Sequence, residues 1–144
     1  MDKYLGQLLH EAPDAILISD GKGIITFWNR GAELLFGHSS TEAVGQSLDL
    51  IIPEALRVRH WDGYHRVMAT GDTKYKTGLL SSAGMRKDGS RVSLEFSMVL
   101  LRDDNGDMYG CASIMRDVTE RWKKEKELKE RLAACEAQLA GKQP

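Results

Sequence analysis

Apolar residues recur along the chain with two periods, one typical of helices and one typical of strands. Helical spacing predicts helices over residues 3–11, 30–36, a short segment after Ser39, 53–70 and a segment from 118 onward. Extended runs predict strands over residues 15–20, 24–28, 75–85, 92–100 and 108–115. Five strands, with helices inserted after the second, predict an α+β fold built on an antiparallel five-stranded sheet with its helices on one face.

The helix predicted over residues 53–70 carries a histidine on its apolar face. Leu56, His60, Gly63 and Val67 recur at i, i+4, i+7 and i+11, which places them on one side of a helix. A lone histidine in such a position is more often a hydrogen-bonded core residue than a metal ligand. The spacing alone therefore leaves both interpretations open.

The chain divides into three segments with different residue patterns. Residues 1–12 predict an N-terminal cap helix, 13–117 the sheet-containing domain, and 118–144 a highly charged helix. In that last segment Leu128, Leu132, Cys135 and Leu139 follow the a/d rhythm of a coiled coil. The pattern covers only about two to three heptads, too few for an isolated helix pair to be stable. It predicts a dimerising or signalling helix, and we expect a homodimer through the N- and C-terminal helices.

Charge and composition exclude several classes of protein. The formal net charge of −1 argues against a general nucleic-acid binder. No apolar run is long enough to span a bilayer and no signal peptide is recognisable, so the expectation is a cytoplasmic protein with no membrane association. The sequence contains no Ser-His-Asp arrangement, no phosphate-binding glycine loop and no Cys/His metal cluster, which predicts that it is not an enzyme.

Several short motifs, taken in order, resemble the PAS domain family over residues 10 to about 122. They are Ala12-Pro13-Asp14-Ala15, Ile18-Ser19-Asp20, Gly23-Ile25-Phe27-Trp28-Asn29, Ala32-Leu35-Phe36-Gly37, Gly45, Lys87-Asp88-Gly89 and Arg116-Asp117-Val118-Thr119-Glu120-Arg121. The resemblance implies a sensory or interaction module with a five-stranded antiparallel sheet. It also implies that the output helix leaves the sheet after Asp117-Val118-Thr119.

The segment around His60 resembles the haem-binding PAS domains of nitrogen-fixation oxygen-sensor kinases. The resemblance places His60 on the axial ligand of the haem iron, Arg66 on an arginine that pairs with a haem propionate, and Phe96 and Met98 on apolar residues of the distal face. It implies haem b as cofactor and O2, CO or NO as the sensed gas.

Three positions depart from that haem-binding pattern. Leu80 replaces the arginine that steadies bound oxygen, Tyr75 occupies an aliphatic distal position, and Trp61 replaces an acidic residue after the histidine. Gas preference therefore need not carry over. A Tyr75 phenol could donate a hydrogen bond to a bound diatomic, and Met98 could supply a sixth ligand.

The residue types also suit haem on chemical grounds. An iron porphyrin needs an imidazole, an apolar slot and cationic groups near two carboxylates, which His60, Phe96 with Met98, and Arg59 or Arg66 could supply. Two alternatives stay open, namely a PAS domain for another small molecule such as an organic acid, and a ligand-free dimerisation adaptor. The chain lacks the Asn-Cys-Arg motif of flavin photoreceptors, so no flavin is expected.

Overall fold

A computed structural model describes residues 2–73 and 78–141 of the chain. It contains five strands and five α-helices in an α+β arrangement. The helices are α1 Lys3–Glu11, α2 Arg30–Phe36, α3 Ser40–Ala43, α4 Arg57–Thr70 and α5 Thr119–Gly141. The strands are β1 Ala15–Asp20, β2 Ile25–Trp28, β3 Leu80–Met85, β4 Arg91–Arg102 and β5 Met108–Asp117. The predicted fold class is confirmed.

The five strands form one antiparallel sheet in the order β2-β1-β5-β4-β3. The first strand pairs with the last, since Leu17 lies opposite Ser113 and Ser19 opposite Cys111. This register puts the N-terminal hairpin beside the strand that leads into α5. The start of the chain and its C-terminal helix are therefore joined through a single pair of central strands.

One face of the sheet carries the core. Its members alternate along the strands, as expected for a half-buried sheet, and they pack under the segments between β2 and β3. The buried apolar residues include Leu17, Ile25, Trp28, Ala32, Phe36, Leu48, Ile51, Val92, Leu94 and Met115. Half-buried Trp61, Tyr64 and Phe96 pack against the same cluster.

A buried asparagine joins the N-terminal helix to the sheet and to α2. Asn29 is 1% exposed. Its Oδ1 caps α2 by accepting from Ala32 N and also accepts from Ile16 N. Its Nδ2 donates to the carbonyls of Leu9, Ala12 and Asp14. Every hydrogen-bonding group of this side chain is thus used within the fold.

The root of α5 is fixed by the residues that the sequence singled out. Asp117 Oδ1 accepts hydrogen bonds from the backbone N and the hydroxyl of Thr119, and Asp117 Oδ2 pairs with Arg86 at 2.9 Å. Ser93 N donates to the Thr119 hydroxyl in turn. The helix therefore leaves the sheet at the predicted position, held by contacts to β4 and to the turn before it.

Two predicted elements differ in extent. The strand predicted over residues 75–85 begins in the structure at Leu80, and Tyr75 lies outside the described residues. The helix predicted from Pro53 begins at Arg57, because residues 54–56 form a separate 3-10 turn. Pro53 precedes that turn instead of opening the α-helix.

Candidate functional site

Helix α4 lies over the core face of the sheet with its predicted apolar side turned inward. Leu56, His60, Gly63 and Val67 are all half-buried, whereas His65 is exposed. The helix ends at Gly71, which adopts a left-handed conformation with φ of 67°. Arg102 of β4 donates to the Gly71 carbonyl at 3.0 Å. The C-terminal end of α4 is thus tied to the far end of the sheet.

His60 has an unusual environment for a histidine inside a fold. Its Nδ1 is buried and has no hydrogen-bond partner among the described residues. Burial lowers the pKa of His60 below its ordinary value, the charge of Asp49 opposes that shift, and His65 adds to it. The imidazole is therefore held neutral, the protonation state that a metal ligand requires.

Two aromatic side chains of α4 flank the His60 ring. The Trp61 ring lies 4.7 Å away, centroid to centroid, at an interplanar angle of 79°. The Tyr64 ring lies 5.6 Å away at 31°. Within the described part of the chain, the imidazole therefore packs against two aromatic rings and makes no hydrogen bond through Nδ1.

On the sheet, three of the predicted site residues share the face that carries the core. Leu80 of β3 lies directly opposite Phe96 of β4. Met98 follows two residues later, opposite Ser113 of β5. All three are half-buried. Met98 also borders an open cleft of about 320 Å³ that Gly71, Leu100 and Arg102 line with it.

The two remaining predicted site residues, Arg66 and Tyr75, are not among the described half-buried residues of this face. Arg66 lies on α4 but is exposed, six residues from His60 and so on another side of the helix. Tyr75 falls outside the described residues. Leu80 and Phe96 are thus brought together, His60 lies on the helix above their face of the sheet, and Arg66 stands at the solvent side.

Sequence reasoning missed the partners that fix α4. Trp61 Nε1 donates to Asp49 Oδ1 at 2.7 Å, and the Tyr64 hydroxyl reaches Ser19 Oγ at 2.9 Å. The i, i+4 spacing of His60 and Tyr64 could have indicated their contact. The contacts with Asp49 and Ser19 carry no signal in the sequence, because they join segments that are far apart along the chain.

The described residues contain neither a cluster of metal-binding side chains nor a membrane-spanning helix. Within residues 2–73 and 78–141 no three His, Cys, Asp or Glu side chains are grouped so that they could hold a metal ion. Over the same ranges no helix is both long and apolar enough to cross a membrane.

Comparison with known proteins places the chain among sensory modules. The profile of the PAS domain family matches residues 13–120. The sensor protein FixL of Bradyrhizobium diazoefficiens is 33% identical over 129 residues, which cover 90% of this chain and 25% of FixL. The oxygen sensor protein DosP of Escherichia coli is 31% identical over 85 residues, 58% of this chain and 10% of DosP. The chain thus spans about a quarter of FixL and less of DosP.

Solved structures agree on the fold. A PAS domain from Colwellia psychrerythraea matches with a TM-score of 0.71 at 24% identity, over 82% of this chain and 97% of that one. An RNA-binding light-oxygen-voltage receptor matches with a TM-score of 0.75 at 24% identity, over 92% of this chain and 37% of that one. At this identity the likeness is one of fold alone. By its sequence profile and its fold, the chain belongs to the PAS domain family.

Proposed function

We propose that this chain is a cytoplasmic PAS sensor domain that binds b-type haem through His60 and reports a diatomic gas or a redox state. One observation carries the proposal, namely a neutral, inward-facing imidazole whose buried Nδ1 has no hydrogen-bond partner among the described residues. A buried polar atom without a partner costs about 1–3 kcal/mol. Coordination of iron by the neutral imidazole would give the ring a polar partner that the described residues do not supply.

The residues around His60 suit a flat apolar group. Leu80, Phe96 and Met98 are half-buried on the face below α4, so each has apolar surface left to bury. Arg59 and Arg66 are exposed on α4 and could pair with two propionates at the solvent side. When bound, the haem iron would supply the site at which a gas binds. The protein's own contribution would be to hold and shield that group.

The relatives support a sensory role over a catalytic one. FixL is named a sensor protein and DosP an oxygen sensor protein, and both align with this chain at 30% identity or more. Gas or redox sensing is therefore the natural hypothesis for the shared domain. The altered positions Leu80 and Trp61 leave the choice of gas to experiment.

A hemin titration of the purified chain tests the proposal, with His60→Ala as the test variant and His65→Ala as the matched control. Both histidines lie on α4, but His65 is exposed. We expect a saturable one-to-one Soret band in the wild type and in His65→Ala, lost or shifted in His60→Ala. The same band in all three proteins, or no specific band in any, would overturn ligation by His60.

A second candidate is a PAS domain for another small molecule in the same place. The half-buried stretch of β4 on the face of the sheet below α4 supports it. An apolar ligand with one polar group could cover Phe96 and Met98 and bind Nδ1 of His60, which has no hydrogen-bond partner among the described residues. A protein that stays colourless with hemin but unfolds at a higher temperature with an aromatic or organic acid would favour it. A ligand-free adaptor would respond to neither.

We also propose that the chain forms a homodimer through α5 and α1. Leu128, Leu132 and Leu139 are 60% or more exposed, and α5 has no buried residue. Leu5 and Leu8 of α1 are likewise exposed on a helix without buried residues. A second copy that paired with both helices would cover these leucines.

Cross-linking at Cys135 tests the pairing of α5. Cys135 is exposed and lies in the leucine seam, whereas Cys111 is buried. Under mild oxidation we expect a disulfide dimer in the wild type and in Cys111→Ser. The control Cys135→Ser/Glu130→Cys, with its thiol on another side of the helix, should cross-link far less. Equal cross-linking of both thiols, or a monomeric mass by light scattering, would contradict a seam at this position.

A further inference from the structure

The His60 ring is oriented by neighbouring rings in place of a hydrogen bond. A metal-bound histidine ordinarily donates its second ring nitrogen to a carbonyl or carboxylate, which fixes the orientation of the ring. Here His60 makes no such hydrogen bond through either ring nitrogen among the described residues. The Trp61 ring lies edge-on to the imidazole at 4.7 Å, and the Tyr64 ring is tilted by 31° to it at 5.6 Å. Among the described residues, these two side chains are the aromatic groups that pack against the imidazole.

Trp61 is itself held at both ends. Its Nε1 donates to Asp49 Oδ1 at 2.7 Å. The far edge of the indole lies against Gly23 in the turn between β1 and β2, where an added Cβ would come within 2.2 Å of Cη2. Gly23 has φ of +80°, so the turn favours glycine as well. The indole thus lies between the 3-10 turn Leu48–Ile51, which contains Asp49, and the β1–β2 hairpin.

Tyr64 is held by β1. Its hydroxyl donates to the Asp20 carbonyl, so Ser19 Oγ, 2.9 Å away, donates to Tyr64 in return. Ser19 is 2% exposed, which makes this a buried polar contact between α4 and the central part of the sheet. Burial raises the pKa of Tyr64 to about 12, which keeps the hydroxyl protonated and able to donate.

We propose that Trp61 and Tyr64 are the positioning residues of His60, with Asp49, Ser19 and the Asp20 carbonyl as their anchors. The effect that we expect on haem release rests on the proposed haem function. The position of the imidazole itself is a property of the protein alone. Neither aromatic residue would bind the iron; each would act through the histidine.

An NMR experiment on the haem-free protein tests the positioning directly. In the wild type, ring currents from Trp61 and Tyr64 should displace the His60 ring-proton resonances from those of histidine in an unfolded chain. Asp49→Ala and Tyr64→Phe remove an anchor while leaving both rings in place, so the resonances should broaden and move toward the unfolded positions. Asp49→Asn keeps an acceptor for Trp61 Nε1 and should restore the wild-type spectrum.

Trp122→Phe and Tyr4→Phe are the matched controls, because both side chains are at least half exposed and belong to other helices, α5 and α1. They should leave the His60 resonances unchanged. If Asp49→Ala and Tyr64→Phe lower the unfolding temperature yet leave those resonances in place, the two aromatics only stabilise the fold and the proposal is overturned.

Haem release gives a second readout. Loss of a group that orients a metal ligand lowers affinity by about 10–100-fold, so hemin transfer to an excess of apomyoglobin should be about tenfold faster from Asp49→Ala and Tyr64→Phe. Asp49→Asn should release hemin as slowly as the wild type. Equal rates in all variants would overturn the positioning role. If the wild type binds no hemin, the proposed function fails, and the NMR result still decides whether the two aromatics position His60.

Discussion

The core has two halves that are filled to different degrees. In the half under α2 and α3, Phe36, Ala32 and Ala43 are fully buried, and α2 buries three of its seven residues. In the half under α4, none of the helix's fourteen residues is buried. The same contrast runs along β4, where Val92 and Leu94 are 1% and 4% exposed and Phe96 and Met98 are only half-buried.

This difference suggests a division of roles: the half under α2 and α3 stabilises the fold, and the half under α4 is available to a ligand. A protein interior is normally packed as densely as an organic crystal, and the α2 half meets that standard. The α4 half keeps the half-buried Phe96 and Met98, and Nδ1 of His60 has no hydrogen-bond partner within residues 2–73 and 78–141. A bound group there would complete the core, so that binding and folding stability would be linked.

Truncating one phenylalanine in each half should give the largest contrast. Phe36 is 0% exposed, so Phe36→Ala should lower the free energy of unfolding by about 3–5 kcal/mol. Phe96 is half-buried, and Phe96→Ala should cost about 1–2 kcal/mol in the haem-free protein. Urea unfolding followed by circular dichroism measures both. Equal losses would show that the α4 half is as fully packed as the other.

Hemin should widen that contrast. If hemin stabilises the wild type by filling the α4 half, Phe96→Ala should lose part of this gain in the free energy of unfolding. A variant that still folds but carries its substitution in the half under α2 should keep the full gain. At a hemin concentration of about 100 times the dissociation constant, the wild-type gain is about 2.7 kcal/mol. An unchanged gain in Phe96→Ala would remove Phe96 from the binding site.

The same glycine-to-alanine substitution should have opposite effects in α2 and α4. A Cβ on Gly31 would lie 2.2 Å from the Asp14 carbonyl oxygen, a backbone atom, so Gly31→Ala should destabilise by about 1–3 kcal/mol or more. A Cβ on Gly63 would meet nothing within 4 Å. Gly63→Ala should therefore stabilise the haem-free protein by about 0.5–1 kcal/mol through helix propensity.

The gain at Gly63 should carry a functional cost. Gly63 lies on the same side of α4 as His60, and the new methyl would project into the space proposed for haem. We expect Gly63→Ala to raise the midpoint of thermal unfolding and to weaken hemin binding in the same preparation. Hemin affinity that stays at the wild-type level would place the group elsewhere along the helix.

Most of the fold could be predicted from local patterns. The alternation in β4, the capping residues Asn29 and Ser39 and the left-handed Gly37 are all short-range signals, and the structure uses each of them. The exceptions lie where the pattern weakens. Residues 54–56 form a 3-10 turn, although their spacing fits the helix that follows.

The candidate site was less predictable because its contacts are long-range. Periodicity was enough to predict the half-buried face of α4 that carries His60. It could not reveal that Trp61 packs on Gly23 or that Tyr64 reaches Ser19, since neither pair shares an element or a register. Family resemblance supplied Arg66 as a propionate partner, and whether its exposed side chain has that role stays a prediction.

The smallest expected effect concerns the ion pair that links α3 to the turn between β3 and β4. Lys87 Nζ lies 2.6 Å from Glu42 Oε2, at the edge of the well-packed half. The Lys87 hydrogen bond, helped by Ser39, lowers the pKa of Glu42 from 4.5 to about 2. Because the pKa is lowered on folding, ionised Glu42 stabilises the fold at pH values above its ordinary pKa. That contribution is lost as the pH falls from 4.5 toward 2.

Glu42→Gln removes this titration while keeping a residue suited to the capping box with Ser39. Its deficit in urea midpoint relative to the wild type should be modest near neutral pH, because both partners are largely exposed and screened by solvent. The deficit should shrink as the pH is lowered through the interval in which wild-type Glu42 takes up its proton. Glu130→Gln, on the exposed surface of α5, is the matched control for a surface Glu→Gln change. A Glu42→Gln deficit that stays constant with pH would show that the ion pair contributes nothing to closing the well-packed half.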